Sequence, residues 1–137
     1  MVNFSSAVKA VDRTIYVVDD DPSIRKAFGR LGQLIHCSVE TFESAEDLLA
    51  FDGTIAGRSV LVVDYRLPGM NGAQLYARLR EMGSDAPVLF ITAHDNAATR
   101  ASLEAIHAER VFIKPLDFKA LIAAIEHLLE EERPPPS

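Results

Sequence analysis

The chain has 137 residues, which suits one domain burying roughly two thirds of its unfolded surface and leaves no room for two. Hydrophobic residues make up 48% and charged residues 25%, with a formal net charge of -6. That balance disfavours nucleic-acid binding by this segment, because phosphate contacts need clustered Lys and Arg. No apolar run approaches the roughly 20 residues of a membrane span, and residues 1–13 lack a signal-peptide pattern, so a cytoplasmic address is expected. Cys37 is the only cysteine. It excludes an internal disulfide and, lying near Val39, reads as a buried strand thiol.

In chain order, strand and helix signals alternate five times, the βα rhythm of a doubly wound sheet. After a leading segment, residues 1–12, the run Ile15-Tyr16-Val17-Val18 is the first strand. Asp21 is a good N-cap and Pro22 suits the first helical position. Ile24, Ala27, Phe28, Leu31, Leu34 and Ile35 then recur at helical spacing. A short strand from Cys37 to Thr41 leads to Ser44-Ala45-Glu46-Asp47, a capping-box pattern that opens a helix through Phe51. Val60 to Val63 is the third strand. The turn cluster Leu67 to Gly72 follows, then a helix whose inner side carries Leu75, Tyr76, Leu79 and Met82. Pro87 opens the fourth strand, Val88-Leu89-Phe90-Ile91, and a helix runs from about Asn96 to His107. The fifth strand, Val111 to Ile113, precedes Lys114-Pro115. In the last helix Phe118, Leu121, Ile122, Ile125, Leu128 and Leu129 form one apolar stripe. Residues 131–137, rich in proline, read as a tail or the start of a linker.

Four of these strands end in a residue able to do chemistry: Asp19-Asp20, Asp64, Thr92 and Lys114. Short β-branched runs without polar alternation read as parallel strands buried on both faces. In such sheets the carboxyl ends of the strands converge on one crevice, where open α/β folds bind ligands. Several carboxylates within a few ångströms are costly unless a cation sits among them. An all-oxygen set with room for water suits Mg²⁺, and the absence of Cys- and His-rich spacing argues against zinc. With the Lys114 ammonium and the Thr92 hydroxyl, these are the parts of a phosphoryl-transfer site, where positioning and charge neutralisation dominate. Asp64 is the best nucleophile, since the turn after it leaves its strand end open. Taken singly each residue has a structural use: the Asp pair as a helix cap, Thr92 as a loop acceptor, Lys114-Pro115 as a strand terminator. Their joint occurrence at four strand ends favours the site.

On these residues the chain resembles the receiver domain of bacterial two-component response regulators over about residues 13–130. The motifs are Val17-Val18-Asp19-Asp20-Asp21, Val63-Asp64-Tyr65-Arg66-Leu67-Pro68-Gly69-Met70-Asn71-Gly72, Ile91-Thr92-Ala93-His94 and Lys114-Pro115. Thr41 to Leu49 and Arg66-Leu67-Pro68-Gly69 look like the FixJ-like branch. The resemblance implies a flavodoxin-like (βα)₅ three-layer sandwich with a parallel five-stranded sheet in the order 2-1-3-4-5. It implies that Asp64 accepts a phosphoryl group from a histidine kinase or phosphotransfer protein, switching protein contacts of the helix 4, strand 5 and helix 5 face. By the same resemblance Asp20, Asp64 and the Arg66 backbone carbonyl would ligate Mg²⁺, and Asp19 would assist through a bound water. Thr92 and Lys114 would hold phosphoryl oxygens, and the Lys114-Pro115 bond would be cis. Such a protein catalyses its own phosphorylation and dephosphorylation without being a turnover enzyme. The resemblance also allows dimerisation on phosphorylation, and either a DNA-binding output domain beyond residue 137 or a stand-alone receiver, with no membrane partner expected.

The sequence departs from the family where receivers carry an aromatic switch residue three positions before the lysine: here stands Val111, with Phe112 one residue later and expected on the opposite face. The usual Gly-Ala after the fourth helix is replaced by His107-Ala108. Arg66 and His94, two residues past Asp64 and Thr92, flank the expected site as solvated loop residues or as tuners of acyl-phosphate lifetime. Three other classes compete. A nucleotide or flavin module would want a Gly-rich phosphate loop where Asp19-Asp20-Asp21 stands, and a phosphatase would want a second acid/base carboxylate where Arg66 stands. A receiver-like interaction module with a lost switch would keep the acidic set idle.

Overall fold

The computed structural model describes residues 13–51, 58–93, 96–106 and 110–130. The elements are β1 (Arg13–Val18), α1 (Pro22–Leu34), β2 (Ser38–Phe42), α2 (Ala45–Leu49), β3 (Arg58–Asp64), α3 (Gly72–Glu81), β4 (Val88–Thr92), α4 (Ala97–Ala105), β5 (Arg110–Ile113) and α5 (Phe118–Glu130). All strand pairs are parallel, in the order β2-β1-β3-β4-β5. The expected three-layer (βα)₅ architecture is therefore present.

Strand residues alternate between two apolar layers, which is why the central runs show no polar alternation. Tyr16, Val18, Leu61, Val63, Val88 and Phe90 pack with Ala45 and Leu48 of α2, Leu75 and Leu79 of α3, and Leu103 of α4. Ile15, Val17, Val60, Val62, Leu89 and Ile91 pack on the other face with Phe28 and Leu31 of α1 and Leu121, Ala124, Ile125 and Leu129 of α5. Each fully buried side chain of this size contributes about 1.5–3 kcal/mol of transfer free energy. The middle strands therefore form a rigid floor, and their carboxyl ends are held in fixed register.

Local chemistry sets the helix starts. Asp21 Oδ1 accepts from Ser23 N at 2.8 Å, with Pro22 opening α1. Ser44 Oγ accepts from Asp47 N at 3.1 Å, the forward arm of the expected capping box. Asn71 and Gln74 form a reciprocal box at the start of α3, both bonds 2.9 Å. At the end of α1, Cys37 N bonds Gly32 O at 2.9 Å and His36 turns left-handed at φ 57°, a position His tolerates better than most residues.

Several sequence expectations need correction. Leu34 is 73% and Met82 62% exposed, so neither belongs to a buried stripe. Leu34 ends α1 and Met82 caps the C-terminus of α3, beyond the reach of the sheet. Cys37 precedes β2, which starts at Ser38, and its thiol is half-buried and directed at Ile35 O at 3.7 Å. The helix expected through Phe51 stops at Leu49, and Phe51 instead packs edge-on against Tyr16 and Phe42. The fifth strand is not buried on both faces: Val111 and Ile113 are each 40% exposed because β5 is a sheet edge.

Candidate functional site

The β1–β3 register pairs Val18 with Val63, so Asp19 and Asp64 emerge side by side from the two central strands. Asp20 joins them: carboxylate oxygens of Asp19, Asp20 and Asp64 lie within 4.8 Å of one another. Asp19 and Asp64 are buried and Asp20 is exposed, so the cluster opens to solvent on one side only. From the end of β5, Lys114 Nζ reaches Asp19 Oδ2 at 3.1 Å and Asp64 Oδ2 at 3.2 Å. Its backbone is fixed by Lys114 N donating to Thr92 O at 2.8 Å, and the Lys114-Pro115 bond is cis, as expected. Thr92 is buried at the end of β4, beside Ile113 in register. All four strand ends meet at one pole of the sheet.

The remaining lone pairs are specific. Asp64 Oδ1 accepts from Arg66 N at 3.0 Å, and Asp19 Oδ1 accepts from Asp21 N at 2.9 Å. Asp19 Oδ2 has no aligned hydrogen-bond donor and meets Lys114 only as an ion pair. Asp21 alone caps α1, so the structural use of Asp19 and Asp20 as caps falls away. Burial raises the Asp64 pKa first, and the nearby Asp19 charge adds to it, outweighing Lys114 and the Arg66 amide. Burial acts against the Lys114 ammonium, but the Asp19 carboxylate paired with it, then that of Asp64, hold its pKa above the usual lysine range. Three carboxylates face one ammonium, leaving surplus negative charge. A buried oxygen lacking an aligned donor, within an all-oxygen set open to water on one side, fits a hard divalent cation such as Mg²⁺.

The turn after Asp64 is set by glycines. Gly69 has φ 76°, which only glycine adopts without strain. At Gly72 an added Cβ would lie 2.9 Å from Tyr65 Cα and 3.0 Å from Asp64 O. The start of α3 is thereby pressed against the Asp64–Tyr65 backbone, locked by Gly72 N donating to Tyr65 O at 2.9 Å. Arg66 projects into solvent while Leu67 is buried. A cleft of about 420 Å³ opens between Arg66, Asn71 and the α4 residues Thr99 and Ser102.

Of the expected switch residues, Val111 is exposed and Phe112 is partly buried against the α1/α5 layer, so the two face opposite ways as alternation requires. His94 and His107-Ala108 lie outside the described residues. Sequence reading missed Arg25 and Glu46. Arg25 Nη1 donates to Asp19 O at 2.8 Å, and Glu46 Oε2 accepts from Met70 N at 3.2 Å. Neither carries a sequence signal beyond an ordinary helical charge. Gly72 did carry one, as a glycine at the first position of a helix, where its low helix propensity asks for a packing reason.

The response regulator receiver domain family matches residues 15–126. The chain belongs to that family, whose members act in two-component signalling. Among curated relatives, the transcriptional regulatory protein FixJ of Rhizobium meliloti is 34% identical over 121 residues, covering 87% of this chain and 58% of FixJ. The response regulator protein TodT of Pseudomonas putida is 32% identical over 116 residues, covering 85% of this chain and 51% of TodT. The chain thus spans little more than half the length of either relative. Among solved structures, the FixJ amino-terminal domain superposes with a TM-score of 0.77 at 29% identity, covering 90% of this chain and 98% of that one. A beryllofluoride-activated DrrB receiver domain gives 0.76 at 27% identity, covering 86% and 97%.

Proposed function

We propose that this receiver domain is a Mg²⁺-dependent phosphoacceptor in which Asp64 takes a phosphoryl group from a histidine kinase or phosphotransfer protein. The observation that carries the reading is Lys114 Nζ lying 3.1 and 3.2 Å from two buried carboxylates while a third stands at the solvent side. Structural ion pairs do not need three acids around one base. Asp19, Asp20, Asp64 and the Arg66 carbonyl are the groups to hold Mg²⁺, which when bound neutralises the acids and the incoming phosphoryl oxygens.

In the transfer, an Asp64 carboxylate oxygen forms a bond to phosphorus as the P–N bond of a phosphohistidine breaks. The imidazole leaves with the bonding electrons and takes up a proton. Arg66 N–H holds Asp64 Oδ1 and Lys114 holds Oδ2. Lys114 must therefore give up part of its Asp64 contact to reach a phosphoryl oxygen, with Asp19 as its second anchor. Thr92, at the neighbouring strand end, supplies a hydroxyl for another phosphoryl oxygen. Exposed Arg66 and, by its sequence position two residues past Thr92, His94 are the residues proposed to tune the lifetime of the acyl phosphate against water.

The unit is residues 13–130, flanked by residues 1–12 and 131–137, and its output surface is the α4, β5 and α5 face. A DNA-binding output domain is supported by relatives such as the DNA-binding transcriptional regulator NtrC of Salmonella typhimurium, 32% identical over 126 residues, of which this chain covers 26%. No described helix is long and apolar enough to cross a membrane; the proposed location of the domain is the cytoplasm. An amide NMR titration with Mg²⁺ and beryllofluoride, an acyl-phosphate mimic, tests the reading. Shifts centred on residues 64, 92 and 114, absent in Asp64→Asn, are expected. An unchanged spectrum would sink the phosphoacceptor reading in favour of a receiver-like interaction module, the alternative that Val111 at the switch position keeps open.

A further inference from the structure

The segment from the end of β2 into α2 carries none of the strand-end chemistry, yet it grips both loops that do. Phe42 O accepts from Asp19 N at 3.0 Å. On the other side of that residue, Arg25 Nη1 donates to Asp19 O at 2.8 Å, while Arg25 Nη2 lies 3.6 Å from Glu43 Oε1. Four residues from Phe42, Glu46 Oε2 accepts from Met70 N at 3.2 Å, across the sheet in the loop that follows Asp64. Gly69 makes that contact possible: a Cβ there would stand 2.6 Å from Glu46 Oε2.

We propose that Arg25 and Glu46 are positioning residues for the acidic crevice, Arg25 holding the Asp19 peptide and Glu46 holding the loop that carries the Arg66 carbonyl. This rests on the reading of the crevice as a Mg²⁺ and phosphoryl site. Magnitudes separate the members of the bridge. The Arg25–Glu43 pair is long, and Glu43 is 74% exposed, so it contributes little. The Arg25 guanidinium is 18% exposed and makes a charge-assisted bond to a buried backbone carbonyl, the stronger kind of contact. Groups that orient ligands without touching the metal commonly set its affinity by an order of magnitude or more.

Charge and position predict opposite signs at Arg25. Removing a cation beside three carboxylates strengthens Mg²⁺ binding if charge alone matters, and weakens it if the Asp19 peptide is being held. At Glu46 the conservative variant separates them, because Gln keeps an acceptor for Met70 N and loses the charge. The test is the Mg²⁺ dissociation constant from amide shifts of wild type, Arg25→Gln, Glu46→Gln, Glu46→Ala and the control Glu43→Gln, with the apparent KM for acetyl phosphate alongside. We expect Arg25→Gln and Glu46→Ala to weaken Mg²⁺ about tenfold, with Glu46→Gln and Glu43→Gln close to wild type. Tighter binding in Arg25→Gln, or equal loss in Glu46→Gln and Glu46→Ala, overturns the inference and assigns the effect to charge. Wild type that binds no Mg²⁺ overturns the underlying site reading instead. Unchanged spectra away from residues 19, 46 and 70 establish that the variants fold.

Discussion

The carboxyl ends of β1 and β3 and the exposed edge at β5 belong to one sheet and are built on opposite terms. At the centre, Asp19 and Asp64 are buried, their oxygens are held by Lys114, the Asp21 amide and the Arg66 amide, and Gly72 packs the next helix against their backbone. At the edge, Val111 and Ile113 each leave 40% of their surface to solvent, and Phe112 alone packs inward. The centre concentrates charge inside a rigid frame, where a small displacement is costly. The edge has little packing to lose. On the proposed function, chemistry and readout are then physically separable: the hydrogen bonds and ion pairs of the crevice do not involve the side chain at 111, while a signal leaving by this face would cross an edge where Val111 stands at the position expected to carry an aromatic.

That contrast is sharpened by breaking the centre first. Lys114→Met leaves two buried carboxylates facing each other, and a loss on the order of 3 kcal/mol is expected in urea denaturation with EDTA, part of it recovered by Mg²⁺. A loss equal with and without Mg²⁺ would mean that the acids and the cation site are unconnected. Gly72→Ala places a Cβ against the Tyr65 and Asp64 backbone and should cost about 2 kcal/mol by overpacking. It should also slow phosphorylation by displacing Asp64, whereas a stability loss with unaltered phosphorylation kinetics would show that the turn only packs.

Asp64→Asn should act in the opposite direction. The folded pKa of Asp64 is raised above its unfolded value, so its contribution to stability is fully present below the unfolded pKa and is lost as pH rises through the folded pKa. Above that window the ionised acid works against folding. The Asn variant is therefore expected to be more stable than wild type in EDTA at neutral pH, with a higher Tm, and to gain nothing at acid pH. A destabilised variant at neutral pH would show that the Lys114 contact outweighs burial and the Asp19 charge. The smallest effect belongs to the edge: Val111→Tyr should change stability by less than about 0.5 kcal/mol and leave phosphorylation untouched. A large change in either would erase the distinction between the two regions.

The same distinction governs what could be read from the chain. The centre was legible because the inner runs of its strands, Ile15 to Val18 and Val60 to Val63, are apolar without alternation, which marks them as covered on both faces, and because four strand ends jointly carry a complementary set that capping alone does not demand. Asp21 does the capping, and the structure separates it from Asp19 and Asp20. The edge was less legible, since Val111-Phe112-Ile113 has the composition of a buried strand and only the order of the sheet exposes it. Leu34 and Met82 sit at helical spacing but past the end of the floor that would cover them. Arg25 and Glu46 look like any surface charges on amphipathic helices. Their partners are backbone groups of Asp19 and Met70, brought near by the fold and invisible to side-chain pattern.

The most direct test of the central claim is intact mass after incubation with Mg²⁺ and acetyl phosphate, for wild type and Asp64→Asn. The account predicts one added phosphoryl group on wild type, labile to hydroxylamine as an acyl phosphate is, and none on the variant. No addition to wild type, or equal addition to both, would contradict Asp64 as the acceptor.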